Sequence, residues 1–213
     1  MVLEVASLTN ENFLNELQES AAKKDWKNIL KISKRYGFAI STIALWVFPS
    51  EFCLQQMKTT LKSLNISNIL SVGCGIGLLE FIIRESVGVK MSGLEIDSKY
   101  WSRKKPFINL KFVEHGQELS SKLILDTCLS KNWDFALLFC YFNLRRAFNE
   151  YIKYYKGNYV IIIGPAANTG RYTDPLPLDF QDNEEFQLVH LSDFGDNRDL
   201  LAIYERKNKK FAV

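Results

Sequence analysis

Asn68-Ile69-Leu70-Ser71-Val72-Gly73-Cys74-Gly75-Ile76-Gly77 decides the fold. Its first five residues are short, apolar and rich in β-branched side chains, the composition of a buried strand. Glycines at alternate positions follow, where a backbone can turn tightly and approach a ligand closely. Leu78 to Glu85 then reads as a helix, whose first N–H groups have no partner inside the helix and can face a ligand. Strand, glycine turn and helix in that order open a parallel α/β sheet.

The alternation continues downstream. Lys90 to Glu95 is a second strand ending on an acid, and Leu110 to Glu114 a third. After a helical Glu118 to Leu129 come a fourth strand, Trp133 to Tyr141, a helix, Arg145 to Tyr155, and a very apolar fifth strand, Asn158 to Ile163. Glu185 to Leu191 and Leu200 to Tyr204 bracket the turn-rich Ser192 to Arg198 and read as a hairpin. The expectation is an α/β fold: a doubly wound, mostly parallel seven-stranded sheet with an antiparallel strand near its end and helices on both faces.

Upstream, the chain reads as helices packed on that sheet. Thr9 or Asn10 is placed to cap a segment carrying Phe13, Leu14 and Leu17. Asp25 is placed to cap a second, with Trp26, Ile29, Leu30 and Ile32 inward and Gly37 as its stop. Pro49-Ser50-Glu51 opens a third, with Cys53, Met57, Leu61 and Leu64 on one stripe. Lys23, Lys24, Lys27, Lys31, Lys34 and Arg35 form a basic outer face, read as solvated. No repeat or linker interrupts the chain, so residues 1–213 read as one domain in which 1–64 pack on a sheet core spanning 68–207.

Composition narrows the function classes. The 213 residues are 47% hydrophobic and 24% charged, which excludes disordered, collagen-like and coiled-coil chains. Lys plus Arg exceed Asp plus Glu by 27 to 24, too small an excess to argue for nucleic acid or an anionic membrane surface. Cys53, Cys74, Cys128 and Cys140 make no Cys-x-x-Cys pair, which speaks against a structural zinc or a disulfide scaffold. No His/Cys/Asp cluster has metal-ligand spacing, so no metal is expected. With no signal-peptide pattern at Met1 to Asn10 and no apolar run long enough for a bilayer, a soluble cytoplasmic protein is expected.

Glu95 stands about twenty residues beyond the glycine turn, where a carboxylate can accept hydrogen bonds from both hydroxyls of a ribose. Asp97 is a possible stand-in. Leu78 occupies the place of the last glycine in a Gly-x-Gly-x-x-Gly fingerprint, which weakens a pyrophosphate-binding reading. Tyr141 and Asn143 lie at the carboxyl end of strand four, where a parallel sheet places its ligands. Tyr141 is a candidate to stack on a substrate, or an aromatic lid over the core. Asn143 is a candidate acceptor for an amine, or a helix cap. Gly164 to Pro177 is the longest irregular stretch, and Arg171 and Tyr172 in it are candidate substrate contacts, or parts of a solvated turn. His115 is a candidate base or a loop residue, and His190 is read as packing in the terminal strand.

Over roughly Asn68 to Lys207 the chain resembles the class I S-adenosylmethionine-dependent methyltransferases. The resemblance lies in Ile69 to Gly77, in Gly93-Leu94-Glu95-Ile96-Asp97, in Trp133-Asp134-Phe135-Ala136-Leu137-Leu138, and in the terminal antiparallel pair. It implies a Rossmann-like methyltransferase fold. It further implies that Gly73, Cys74, Gly75 and Gly77 cradle the cofactor, that Glu95 holds its ribose, that Ile96 lies against its adenine, and that Gln117 and Cys140 contribute further contacts. Family members usually carry an acid two positions before the first glycine, where this chain has Ser71. Many also have an acid after strand three facing the adenine amino group, where Gln117 is the substitute acceptor.

A narrower resemblance, to a poorly characterised methyltransferase-like group, lies in Leu137-Leu138-Phe139-Cys140-Tyr141-Phe142-Asn143, with Phe142 and Asn143 in place of two prolines. Ile163-Gly164-Pro165, Thr169-Gly170-Arg171 and Phe48-Pro49-Ser50-Glu51 are similar in position to segments of that group. The implied function is methyl transfer from S-adenosylmethionine to a small-molecule or exposed protein acceptor. Ser71, Gly116-Gln117 and Phe142-Asn143 motivate an alternative, a catalytically inactive methyltransferase-like scaffold. A nicotinamide-dependent oxidoreductase is the other rival, opposed by the missing glycine and the terminal hairpin.

Overall fold

The alternating apolar runs assemble into one seven-stranded sheet of order β3-β2-β1-β4-β5-β7-β6. The strands are β1 (Asn68–Val72), β2 (Lys90–Ile96), β3 (Leu110–Val113), β4 (Ala136–Cys140), β5 (Tyr159–Pro165), β6 (Phe186–Asp193) and β7 (Asp199–Arg206). β1 to β5 pair in parallel. β7 runs antiparallel to both β5 and β6, so the sheet is mixed at that edge. The computed structural model describes residues 2–37, 44–96, 98–114, 117–128, 132–195 and 198–207.

Period-two alternation buries both faces of the sheet. Ile69, Leu138, Ile161, Ile163, Leu201 and Ile203 face one core, shared with α1 (Val2–Ala22), α2 (Trp26–Tyr36), α3 (Glu51–Ser63) and α4 (Leu78–Val87). Leu70, Val72, Leu137, Phe139, Val160 and Tyr204 face the other, covered by α6 (Ser121–Thr127), α7 (Arg145–Tyr154) and Phe180. The short α5 (Ser98–Trp101) follows β2 and runs into a 3₁₀ turn, Ser102–Lys104.

Side-chain caps set several of these boundaries. Asp25 accepts from Asn28 N–H at 3.0 Å and Gly37 ends α2 in a positive-φ conformation, both as the sequence indicates. Ser50 accepts from Cys53 N–H and starts α3, whose Cys53, Met57 and Leu61 are buried.

Four expectations need correction. Strand four, expected from Trp133 to Tyr141, runs only from Ala136 to Cys140, because the chain bends at 133–135 and Tyr141 takes a positive φ. α1 already runs from Val2, so Thr9 and Asn10 lie inside it and not at its start. A capping residue permits a start without requiring one, and the Leu, Glu and Ala around these two favour helix. Ser120 caps α6, which therefore excludes Glu118 and Leu119. Asn143 is not the cap of α7, since Leu144 holds that place and offers no side-chain acceptor.

β1 is flanked by β2 on one side and β4 on the other, so the chain changes direction of travel across the sheet there. A crevice opens beyond the carboxyl ends of β1 and β4 at such a reversal.

Candidate functional site

The glycine turn forms the floor of this crevice. Gly73 has φ +70°, and a Cβ there would come within 3.0 Å of the Phe142 ring. Gly77 has φ +74°, and a Cβ there would run into Ile108. Gly77 N–H donates to Cys74 C=O at 3.0 Å and closes the turn, and α4 starts at the next residue. Backbone conformation and space therefore both require glycine at these two positions.

Glu95 reaches from the end of β2 back to this turn. Its Oε1 accepts from Gly75 N–H at 2.5 Å and its Oε2 from Ile96 N–H at 3.0 Å. Burial raises its pKa, opposed by those two N–H groups. Each carboxylate oxygen keeps a lone pair, so the group can still accept two hydroxyl hydrogen bonds.

Glu95 and Gly73 together separate two cavities. The larger, about 690 Å³, is lined by Leu94, Ile96, Val113, Gln117, Phe142, Asn143 and Tyr151 among others. The smaller, about 140 Å³, is lined by Trp46, Cys74, Gly75, Leu79, Glu80, Trp101 and Cys140 among others. Gly73 and Glu95 line both. The expected cofactor residues are thus distributed around one saddle: Ile96 and Gln117 on one side, Cys74, Gly75 and Cys140 on the other. Gly77 lies buried behind the turn and shapes it without lining either space.

Ile96 is 63% exposed, an apolar surface left open at the cavity mouth. Gln117 turns its Oε1 to Glu114 N–H at 3.1 Å, so that oxygen already holds a backbone partner. Burial pushes the thiols of Cys74 and Cys140 well above their ordinary range, which keeps both neutral.

The expected substrate residues divide. Tyr141, at φ +51° just past β4, stacks on Trp46 with centroids 6.1 Å apart. Its hydroxyl donates to Asp199 Oδ1 at 2.6 Å, and Arg171 Nη1 donates to both the hydroxyl, at 2.5 Å, and Asp199, at 2.8 Å. Burial first, then Asp199, pushes the Tyr141 pKa far up, so it stays a protonated donor at neutral pH. Asn143 is exposed and lines the larger cavity. Tyr172 is 71% exposed and lines neither space.

Sequence reasoning passed over Trp46, Trp101, Asp199 and Glu80. Glu80 accepts from Ser71 Oγ at 2.7 Å, is 2% exposed, and has a pKa pushed up to about 7 by burial. The signal for it was a single acid in the apolar run Leu78-Leu79-Glu80-Phe81-Ile82-Ile83. Asp97, His115 and Gly116 lie outside the described residues. His190 sits half-buried at a β-bulge of the terminal hairpin, its Nε2 3.1 Å from Ser192 Oγ. Among the described residues no His/Cys/Asp/Glu group could hold a metal ion, and no helix is long and apolar enough to cross a membrane.

No family model and no curated protein matches the sequence. Solved structures match the fold. A Staphylococcus aureus protein assigned as a caffeoyl-CoA O-methyltransferase is 13% identical with a TM-score of 0.50, over 85% of this chain and 99% of its own. Magnesium protoporphyrin IX methyltransferase from Synechocystis PCC 6803, solved with bound SAM, is 7% identical with a TM-score of 0.46, over 74% of this chain and 79% of that one. A SAM-dependent methyltransferase from Aquifex aeolicus is 14% identical at 0.42, over 73% and 97%. At such identities the likeness to the Staphylococcus protein establishes a shared fold and nothing finer.

Proposed function

We propose that the protein is an S-adenosylmethionine-dependent methyltransferase acting on a small molecule or an exposed protein group. One observation carries this reading: Glu95, tied to the Gly75 N–H, stands on a saddle between two cavities at the carboxyl edge of the sheet. The donor and acceptor set fits a ligand with a nucleoside on one side and a small polar end on the other. Glu95 would accept the ribose hydroxyls, Ile96 and Val113 would offer apolar surface to a base, and the glycine turn would hold the polar end. The four cysteines, all outside disulfides, fit a reducing, cytoplasmic setting.

Bound there, S-adenosylmethionine supplies a methyl group on a sulfonium, open to in-line displacement. The chain's own contribution is chiefly positioning. Trp46 and Trp101 offer indole surface in the lining of the smaller cavity. The Tyr141–Arg171–Asp199 cluster beside Trp46 ties the end of β4 to β7 and to the segment after β5, which braces that edge of the crevice. Because Tyr141 keeps its proton and donates it in a hydrogen bond to Asp199, it does not deprotonate an acceptor.

Calorimetric titration with S-adenosylmethionine and S-adenosylhomocysteine, with NADH as control, tests the reading. Micromolar binding of the first two alone is expected, worth about 8 kcal/mol. Glu95→Ala should weaken it at least tenfold. Folded protein that binds neither would identify a scaffold, and tight NADH binding would identify a dinucleotide enzyme.

A further inference from the structure

The smaller cavity carries a charge pattern that its size alone does not explain. Two carboxylates, Glu80 and Glu95, and two indoles, Trp46 and Trp101, line it, and no lysine or arginine does among the described residues. Such a lining repels phosphate and sulfate and suits a cation. Within it, Glu80 is 2% exposed, its Oε1 is taken by Ser71 Oγ, and its Oε2 is buried with no hydrogen-bond partner. A buried carboxyl oxygen of this kind, protonated or ionised, is costly unless something pairs with it. Glu80 is also the one charged residue on the buried side of α4, among Leu78, Leu79, Phe81, Ile82 and Ile83.

Building on the methyltransferase reading, we propose that Glu80 receives the primary ammonium of the ligand's amino-acid end in the smaller cavity. A sulfonium has no N–H to offer Oε2, whereas an ammonium has three. Ser71 therefore does not leave the site without an acid. The carboxylate arrives from α4, nine residues on, and Ser71 holds it in place.

Among the described residues, the groups facing Glu80 are the Ser71 hydroxyl, the Glu80 backbone N–H, the Cys74 and Cys140 thiols, and the Glu95 carboxylate. None is cationic. Glu80 consequently keeps its proton to about pH 7 in the free protein, mainly through burial. When an ammonium enters, the carboxyl gives that proton to solvent and the ion pair forms, so binding near pH 6.5 releases a proton.

The test uses the full chain with S-adenosylmethionine, S-adenosylhomocysteine and 5′-methylthioadenosine, which shares the nucleoside and lacks the amino acid. Glu80→Gln should weaken the first two by about 30-fold or more and leave methylthioadenosine unchanged. Equal weakening of all three, or of none, would overturn the proposal while leaving the cofactor reading intact. Wild-type protein that is folded and binds none of the three would instead remove the cofactor reading itself. A second measurement does not depend on the variant folding: wild-type titrations at pH 6.5 in two buffers of different ionisation enthalpy. At pH 6.5 a carboxyl with a pKa of about 7 is about three-quarters protonated, so release of about 0.7 proton per site supports the assignment, and no release overturns it.

Discussion

Glu80 shows what one side chain can cost the ligand-free protein. Its folded pKa of about 7 lies above the ordinary carboxyl value of 4.5, so the native state binds more protons than the unfolded chain between those limits. Stability must therefore fall as pH rises from about 4.5 to about 7 and then level off, by roughly 3 kcal/mol from this group. Glu95 and Asp199, also shifted upward by burial, add to the slope in the same sense. Glu80→Gln keeps an acceptor for Ser71 and removes the titration. Urea denaturation should find the variant about 2–3 kcal/mol more stable than wild type at pH 8 relative to pH 4.5. Equal pH slopes in the two proteins would mean that Glu80 is not the group responsible. The glycines make a second contrast. Gly77→Ala meets both a positive φ and Ile108 and should cost about 2–4 kcal/mol. Gly170→Ala, at φ +75° in open space, should cost only about 1–2 kcal/mol.

Elements were the legible scale. The switch from helical to alternating periodicity near Leu64 announced the sheet, and the order of strands and helices placed Glu95 and Tyr141 at its carboxyl edge. Boundaries slipped where one side chain decided them, at Ser120 and at the uninterrupted α1. The site's internal bonds were not legible, because they join residues far apart in the chain. Tyr141 and Asp199 are 58 positions apart, and Arg171 lies 28 from Asp199. Spacing rules reach one element and its neighbour, whereas these contacts depend on how β4, β7 and the segment after β5 meet. That meeting is testable. Asp199 is 1% exposed and anchors both Tyr141 and Arg171, so Asp199→Ala removes a buried carboxylate that accepts from both side chains. A cost of about 2–4 kcal/mol is expected. Hydrogen exchange should accelerate at 171–174 while the β1 and β4 amides stay protected to within that global loss. Uniform acceleration would mean that Asp199 supports the whole sheet and not this segment.

At the scale of the molecule, the N-terminal helices belong to the core that carries the site. Phe13 and Leu17 of α1 and Ile29 of α2 are fully buried in the same cluster as Ile69, Leu138 and Ile161 of the sheet. α1 is further tied down by Gln18 Nε2, which donates to Lys105 C=O at 2.7 Å, beyond the 3₁₀ turn that follows Trp101. The smaller cavity is lined by Ala44 to Val47 and by Trp101, and of these Leu45 and Val47 belong to the shared core while Ala44 and Trp101 pack against it. A unit with its own core could unfold separately, but one that shares a core cannot leave without exposing the apolar faces of α4 and β1. The chain should therefore unfold in a single transition. A variant keeping Trp26 alone, with Trp46, Trp101 and Trp133 replaced by Phe, reports on α2 by fluorescence while circular dichroism reports on the whole. Coincident urea midpoints are expected. A fluorescence transition at lower urea would make the N-terminal helices a separable cover, and the walls of the smaller cavity would then depend on a piece that can open.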